Sequence, residues 1–495
     1  MNRDTFIYNE GFSAHRINNN SIVQFQIKMK LFILVLALTL VFSASAGDAY
    51  DWRSRSIYQL LTDRYARSDR SDSPCANLSN YCGGTFEGIR KNLDYIKAMG
   101  FDAIWISPIV ENYEGGYHGY WATNLYKVNK HFGTTRELKK LVNAAHSKDI
   151  LVMVDVVANH MGPVGTNFSQ IVPFNLSEHY HPRCLLTNWT DQHHVENCWL
   201  ADLPDLDQNS PFVKRTLIDW IRHLVAEFKF DGIRIDTILE VPANFWLDFT
   251  RAAGVFAMGE AFHAGYQYVG GYQNVIDGVL NYPLYYKLKE IFGAKQSMSL
   301  FTTHYVEMGK HFKNQDLLGN FVDNHDNSRF LNEYNDTRMF KAALAFTIAS
   351  RGIPFTYYGF EHNFDGGADP LNREVFWTTK FKPSSLTKFV KTLHEVRKAT
   401  RWYDQPQIES LADDSFYAFS RGSTFFAFTN RPDEKQVRTI TSHPYHEGQM
   451  LCNIFEIGDC VRVRNNTFPV ELNNGEVKIF VPDYGAKELL KSYFS

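Results

Sequence analysis

The stretch Phe230-Asp231-Gly232-Ile233-Arg234-Ile235-Asp236 has the apolar alternation of a buried strand, yet it also carries charge. In an extended chain the two isoleucines face one side, and Arg234 and Asp236 face the other. A buried arginine or carboxylate costs several kcal/mol unless it is paired or used in chemistry. We therefore predict that this face points at a reaction site. A solvent-facing edge strand of an antiparallel sheet is the open alternative.

Three other short apolar runs also end in polar clusters. They are residues 151–160 (LVMVDVVANH), 255–260 (VFAMGE) and 319–326 (GNFVDNHD). Four strands that each present carboxylates or imidazoles at the carboxyl end are typical of the active face of a parallel β/α barrel.

Strand patterns alternate with helical patterns along most of the chain, which predicts parallel strands joined by right-handed crossovers. The predicted strands are residues 56–61, 101–106, 151–158, 230–236, 255–259, 277–280, 317–322 and 353–358. Helical spacing of apolar residues is found at 89–99, 138–146 and 213–228.

Two segments depart from this rhythm. Residues 159–205 are too long for a structureless loop in a compact domain, so we predict a small inserted domain after the third strand. Short alternating runs from about residue 401 predict an all-β C-terminal sandwich domain over 403–495. The predicted fold is thus a (β/α)8 TIM barrel, formed by residues 47–158 and 206–402, with these two additions.

The composition excludes one class of partner. The chain has 495 residues and a net charge of -3, and nucleic-acid binding would call for a basic surface. The aromatic fraction of 15% suits carbohydrate binding and an ordinary core equally well.

The N-terminal region, residues 1–46, resembles a secretory signal. Lysines precede the apolar run 31–42, and small residues follow it, which predicts a mature start near Gly47. The run is short for a membrane span, although an uncleaved anchor is the open alternative. Met29 is a second candidate for the start of the chain.

Six cysteines agree with export, and proximity favours pairing of neighbours, although the sequence leaves the other pairings open. The neighbouring pairs are Cys75 with Cys82, Cys184 with Cys198, and Cys452 with Cys460. Glycosylation sequons occur at Asn77, Asn167, Asn175, Asn188, Asn335 and Asn465.

The four polar-ended segments resemble, in order and spacing, the signature segments of the α-amylase family, glycoside hydrolase family 13. They are residues 155–160, 232–236, 259–260 and 321–326. The likeness runs from about residue 50 to the tail domain and is closest to fungal-type α-amylases. It is carried further by residues 116–121 (GYHGYW), 198–200 (CWL), 203–207 (LPDLD) and 369–373 (DPLNR).

The resemblance implies Asp236 as nucleophile, Glu260 as general acid/base and Asp326 as a third carboxylate. Glycoside cleavage needs one carboxylate to attack and one protonated carboxyl to donate to the leaving oxygen. A cation such as Arg234 favours an ionised aspartate, and an apolar approach such as residues 255–259 raises the pKa of a glutamate.

The resemblance also implies sugar-binding residues and a metal. Histidines and a stacking tyrosine would contact the sugar at the cleavage point, and a later acid–base pair would grip the sugar on the non-reducing side. The implied substrate-binding residues are His118, Tyr120, His160, Arg234, His325, Asp369 and Arg373. The implied metal is a structural Ca²⁺, bound by the Asn159 side chain, the Asp205 carboxylate and the carbonyls of Glu196 and Glu240.

The chain departs from the fungal pattern at two positions. Leu239-Glu240 stands where fungal-type enzymes carry Lys-His against the leaving-side sugar, and Ala261 replaces a common valine. We find no sequence support for a chloride site of the animal type.

The leading hypothesis is a secreted, monomeric α-amylase that cleaves internal α-1,4 bonds of starch or glycogen with retention of configuration. It would act outside the cell or in a secretory or endolysosomal lumen, on an α-glucan polysaccharide, without nucleic acid and without a membrane after signal cleavage. The runner-up is a maltogenic, cyclodextrin-cleaving or transglycosylating relative. A non-enzymatic partner of a membrane protein is the remote alternative.

Overall fold

The computed structural model describes residues 49–456 and 458–483. The predicted signal region, including Met29, and the end of the C-terminal domain lie outside the described residues. Across these described ranges, every helix is too short or too polar to span a membrane.

Eight parallel strands form a single barrel sheet, so the predicted barrel is confirmed. In chain order the strands are Ile57–Gln59, Ala103–Ile106, Leu151–Val156, Gly232–Ile235, Phe256–Gly259, Gly278–Val279, Gly319–Asn320 and Ile353–Tyr357. The first strand pairs with the second and the eighth. A parallel bridge between Leu280 and Gly319 joins the sixth strand to the seventh and closes the ring. These two strands are shorter than predicted.

The fourth barrel strand, Gly232–Ile235, lies between the third and the fifth, so the edge-strand alternative is wrong. Ile233 and Ile235 are fully buried in the main core between sheet and helices. Arg234 is equally buried but faces the barrel interior. Gly232, two residues earlier on the same face of the strand, lies against Trp52. A Cβ atom on Gly232 would come within 2.7 Å of the Trp52 ring, so only glycine fits there.

Helices cover the outside of the barrel. The longer ones are Thr135–His146, Pro211–Phe228, Ala243–Ala253, Leu300–His311, Thr337–Ala349 and Ser385–Thr400. The shorter ones are Ala49–Ser54, Thr62–Tyr65, Phe86–Lys91, Leu93–Ala98, Tyr266–Gly271, Tyr282–Leu288 and Phe330–Tyr334, and one further short helix, Gln192–Asn197, belongs to the insertion. The helical pattern at 89–99 is split at Asn92, whose side chain donates to the Gly88 carbonyl at 2.9 Å.

The segment between the third strand and the helix Pro211–Phe228 contains only short elements. Its apolar side chains extend the main core of the barrel, with the Phe168 ring stacked on Tyr180 at 4.0 Å and Trp199 buried. An unpredicted pair of strands, Val110–Asn112 and Ala122–Val128, contacts it through a bridge from Asn124 to Val172. The limits of a separate inserted domain stay a prediction.

Two antiparallel sheets follow the barrel, as predicted. The larger has the strands Gln407–Ala412, Phe416–Arg421, Thr424–Thr429, Met450–Asn453, Cys460–Arg462 and Lys478–Pro482, and the smaller has Gln436–Ile440 and Phe468–Leu472. Side chains of both sheets, among them Phe425 and Phe468, share one core. The six cysteines are paired as neighbours, Cys75–Cys82, Cys184–Cys198 and Cys452–Cys460.

Candidate active site

Arg234 contacts three carboxyl groups at the mouth of the barrel. Its Nη1 lies 2.9 Å from Oδ1 of Asp155 and 2.8 Å from Oδ1 of Asp236, and its Nη2 lies 2.7 Å from Oε2 of Glu260. Burial opposes the charge of the guanidinium, but the surrounding acids, Asp155 foremost, raise the pKa of Arg234 well above its usual range. Arg234 therefore stays a cation that holds these acids together.

Thr237 forms a second link between Asp236 and Glu260. Its hydroxyl donates to Oδ2 of Asp236 at 3.1 Å, and its backbone N–H donates to Oε2 of Glu260 at 3.3 Å. The residue has a left-handed backbone, with φ of 49°. That conformation costs a β-branched residue about 1–3 kcal/mol. The strain is offset by the two hydrogen bonds that this turn allows Thr237 to donate, one to Asp236 and one to Glu260.

Glu260 has the environment of a proton donor. Burial raises the pKa of Glu260 well above its ordinary value, and Asp326 and Asp236 raise it further, against the opposing effect of Arg234. The Tyr282 hydroxyl donates to Oε1 of Glu260 at 3.1 Å. Burial and the neighbouring acids therefore favour the protonated form of this carboxyl group, and the hydrogen bond from Tyr282 fixes its direction.

Asp326 lies on the more open side of the centre. Its Oδ1 is 3.5 Å from both Nη2 of Arg373 and Nε2 of His325. Its side chain is 28% exposed, whereas that of Glu260 is 6% exposed. Arg373 also contacts Oδ1 of the half-exposed Asp369 at 3.1 Å. The structure therefore brings the predicted pair Asp369 and Arg373 to the third carboxylate.

A chain of hydrogen bonds links the first strand to Asp155. Nε2 of Gln59 donates to Nδ1 of His325 at 2.9 Å, and burial lowers the pKa of His325 well below its ordinary value. The neutral ring then carries its proton on Nε2, which donates to the Tyr120 hydroxyl at 2.6 Å. The hydroxyl in turn donates to Oδ2 of Asp155 at 2.8 Å.

The remaining predicted histidines also surround Tyr120. Nδ1 of His118 accepts the backbone N–H of Tyr120 at 3.1 Å, and the two rings stack with centroids 5.6 Å apart. Nε2 of His160 lies 3.2 Å from the Tyr120 carbonyl. Burial lowers the pKa of both histidines, so each is a neutral hydrogen-bonding group.

The Asn159 amide lies between His160 and two further oxygen atoms. The Tyr120 carbonyl can only accept, so the proton of neutral His160 is on Nε2. Nδ1 of His160 therefore accepts a hydrogen bond from Nδ2 of Asn159 at 3.3 Å. The amide oxygen then points the other way, where the Glu240 carbonyl and Oδ1 of Asp205 lie 3.1 and 2.9 Å away. Three oxygen atoms therefore converge, an arrangement that a cation stabilises.

Residues 59–412 match the family model described as the catalytic domain of α-amylase. The chain belongs to the α-amylase family. An α-amylase of Saccharomycopsis fibuligera is 38% identical over 92% of this chain and 97% of its own length. α-Amylase 2 of Schwanniomyces occidentalis is 36% identical over 89% of this chain and 92% of its own length. The solved α-amylase of Malbranchea cinnamomea has a TM-score of 0.85 and 36% identity, over 88% of this chain and 98% of that structure.

Membership of the α-amylase family makes the chain a glycoside hydrolase, and the non-enzymatic alternative is set aside. The relatives from Saccharomycopsis fibuligera and Schwanniomyces occidentalis are themselves α-amylases, and they align along almost their full length. The family resemblance read from the four signature segments is confirmed.

The α-amylase family commonly binds calcium, and the oxygen cluster at Asn159 fits such an ion. Ca²⁺ takes about 6–8 oxygen ligands from carboxylates, amides and carbonyls, which are the types present. The second carboxyl oxygen of Asp205 is held by Nδ1 of His181 at 2.6 Å, as outer partners of ligands usually are. Glu196 lies on the helix Gln192–Asn197, which packs against the turn Ile238–Glu240. Its carbonyl as a ligand stays a prediction.

The residues that replace the fungal-type Lys-His pair are both buried, Leu239 at 3% and Glu240 at 5% exposure. Burial, and then the charge of Asp236, raise the pKa of the Glu240 side chain to about 8. The departure thus removes two polar groups from the cleft surface expected for a fungal-type α-amylase.

Several residues that contact the centre were not among the predicted site residues. Asp155 lies in a signature segment, but it is embedded in the apolar strand Leu151–Val156, so the pattern reads as core. Tyr117 donates to Asp369 at 3.1 Å from a loop. The sequence pattern around Tyr282 does not indicate a site residue, because Tyr282 begins a helix and Glu260, which it contacts, follows a different element.

Proposed function

We propose that this chain is a secreted α-amylase that hydrolyses internal α-1,4 bonds of starch or glycogen with retention of configuration. The observation that carries the proposal is that one guanidinium, Arg234, contacts both Asp236 and Glu260. Acids that share a guanidinium are separated by a few Å. Such spacing suits a retaining pair, at about 5–5.5 Å, better than an inverting pair at about 6.5–9.5 Å.

In the first step, Asp236 attacks the anomeric carbon while Glu260 donates its proton to the leaving glycosidic oxygen. The C–O bond breaks as the bond to Asp236 forms, which gives a covalent glycosyl-enzyme and a shortened glucan. In the second step, ionised Glu260 takes a proton from water, and the water oxygen displaces Asp236. Asp326 and His325 would bind sugar hydroxyls, and these bonds strengthen as charge develops on the ring.

A bound Ca²⁺ would supply a structural tie rather than a reactive group. Asn159 and Asp205 belong to the insertion and its end, and Glu240 follows the fourth barrel strand. Ligands from both sides would fix the insertion beside the catalytic Asp236.

Export is supported by the three disulfides, since such bonds persist in oxidising compartments. The signal-like residues 1–46 support the same destination. Mass measurement of the secreted protein would give the mature start and the occupancy of the sequons.

The alternative is a relative that prefers short or cyclic substrates. It is favoured by one observation, the burial of Leu239 and Glu240 at the leaving side. Product profiles on soluble starch and on maltotriose distinguish the two. An endo-acting enzyme fragments the polymer early, whereas a relative that prefers short substrates leaves the polymer largely intact.

The decisive experiment follows the anomeric form of the first products released from starch. Retention gives α-anomers, and β-anomers would contradict the mechanism. Asp236→Asn should lose at least about 1,000-fold in kcat with an unchanged Tm. The exposed Asp219→Asn is the matched control, and retained activity of Asp236→Asn would remove its role as nucleophile.

A further inference from the structure

A groove of about 750 Å³ lies beside the insertion and outside the catalytic centre. Its walls come from the insertion helix Gln192–Asn197, the helix Tyr266–Gly271 that follows the fifth strand, and the end of the helix Leu300–His311. None of the residues that line it belongs to the acid cluster around Arg234.

The lining has the chemistry of a carbohydrate site. Tyr266 and Tyr268 are half-buried, so part of each ring faces the groove, and the buried Tyr272 packs edge-on against Tyr268. Amide and carboxyl groups of Gln192 and Glu307 lie in the same walls. Aromatic rings pack on the apolar faces of sugars, and amides and carboxylates bind their hydroxyls.

The Tyr268 ring is held in place before any ligand arrives. Its hydroxyl donates to Oε1 of Gln192 at 2.5 Å. Nε2 of the same glutamine donates to the Leu239 carbonyl at 3.0 Å and to Oε1 of Glu196 at 2.7 Å. The His263 ring meets Tyr268 edge-on at 4.9 Å. A fixed ring binds a sugar without an added cost of ordering the side chain.

An aromatic surface connects the groove to the acid. Phe262 comes two residues after Glu260 and is 44% exposed, and its ring packs at 4.5 Å on Tyr282, which contacts Glu260. His263 follows and contacts Tyr268. This path ends at Glu260, the acid that protonates the leaving oxygen in the proposed mechanism, whereas Asp369 and Arg373 lie beside Asp326. We therefore assign the groove to the side of the departing chain.

We propose that this groove binds glucose units of the α-glucan on the leaving-group side, beyond the catalytic cleft. The proposal rests on the proposed function, because that function supplies the ligand. The groove also explains why Leu239 and Glu240 can be buried. In this proposal the departing chain is bound farther from the centre, by the groove, and Gln192 connects that surface to Leu239 through a hydrogen bond.

The test measures binding of maltoheptaose and maltotriose by calorimetry in a Glu260→Gln background, which leaves the ligand intact. Tyr268→Ala should weaken maltoheptaose binding about 5-fold and leave maltotriose binding unchanged. Tyr126→Ala is the matched control, since Tyr126 is 55% exposed and lies outside the groove.

A second variant fills the groove without removing a contact. A Cβ atom on Gly271 meets nothing within 4 Å, and this glycine lines the groove. Gly271→Arg should therefore weaken maltoheptaose binding with an unchanged Tm. Wild-type affinity in both variants would overturn the proposal. Absence of starch hydrolysis by the unmodified protein would instead contradict the proposed function, so the two failures are distinguishable.

Discussion

The phenol of Tyr282 donates a 3.1 Å hydrogen bond to Oε1 of Glu260 and accepts one of 3.1 Å from Nδ2 of Asn324. Tyr282 comes after the sixth barrel strand, Asn324 after the seventh and Glu260 after the fifth. The direction of the acid is thus set by three consecutive strand ends.

We expect Tyr282→Phe to lower kcat about 10-fold, because the acid loses one of its orienting partners. A donor to a carboxylate favours the ionised form, so its loss raises the pKa of Glu260 further and moves the basic limb of the kcat profile to higher pH. The measurement is kcat against pH. Tyr286→Phe, on the same helix, is the control, and an unmoved basic limb would contradict the role.

Replacement of Arg234 by lysine tests whether the three acids need the geometry of a guanidinium or only a positive charge. A lysine ammonium is a single point charge and cannot contact Asp155, Asp236 and Glu260 with the geometry of a guanidinium. Acids left buried without a partner are costly, so we expect kcat to fall at least about 100-fold and the Tm to drop. The exposed Arg222→Lys is the control. Activity within 10-fold of wild type would show that only charge is needed.

Removal of calcium should lower stability. A ligand at about 100 times its Kd adds about 2.7 kcal/mol, so a chelator should lower the Tm by about 3 °C, and added Ca²⁺ should restore it. Asp205→Asn should abolish the effect of the chelator, whereas the exposed Asp202→Asn should keep it. An unmoved Tm of the wild-type protein would argue against the tie.

Glu361, a buried residue outside the active site, should make the stability of the protein depend on pH. Burial raises the pKa of Glu361 from 4.5 to about 7, and its contacts are phenol hydroxyls, with Tyr58 donating at 2.7 Å. At pH below 4.5 the carboxyl is protonated in both the folded and the unfolded chain. Between pH 4.5 and 7 the unfolded chain ionises first, which lowers the free energy of unfolding by about 3 kcal/mol in total.

The variant Glu361→Gln removes this loss, so its Tm relative to wild type should rise by several degrees between pH 5 and pH 8. Differential scanning calorimetry at the two pH values measures it. Glu395→Gln, in a partly exposed pair with Lys391, provides the comparison and should show no such change. An equal Tm difference at both pH values would contradict the shifted pKa.

The barrel could be predicted because each strand is an apolar run followed by polar residues or a glycine. The sixth and seventh strands are least regular, since their glycines give little side-chain pattern to count. The hairpin-like pair at 110–128 was missed, because its register is irregular and only part of it is buried. The disulfide pairing of neighbouring cysteines was favoured only because the two cysteines of each pair are close in sequence.

The candidate acids followed from four local segments, but their supporting partners did not. Gln59 and Trp105 contact the centre from other strands and Tyr282 from the start of a helix, so no spacing along the chain joins them to Asp155 or Glu260. The groove at Tyr268 is likewise formed by three separate parts of the fold. Such contacts are products of tertiary packing, and a single sequence does not display them.

One guanidinium, that of Arg234, serves three carboxyl groups, so acids outnumber the cation at the bottom of the cleft. A glucan that bears a phosphate ester or an oxidised, uronic-acid ring at the cleavage point would bring like charge into this low-dielectric space. We therefore expect a phosphorylated or oxidised unit at the cleavage point to be hydrolysed more slowly than an unmodified glucose unit.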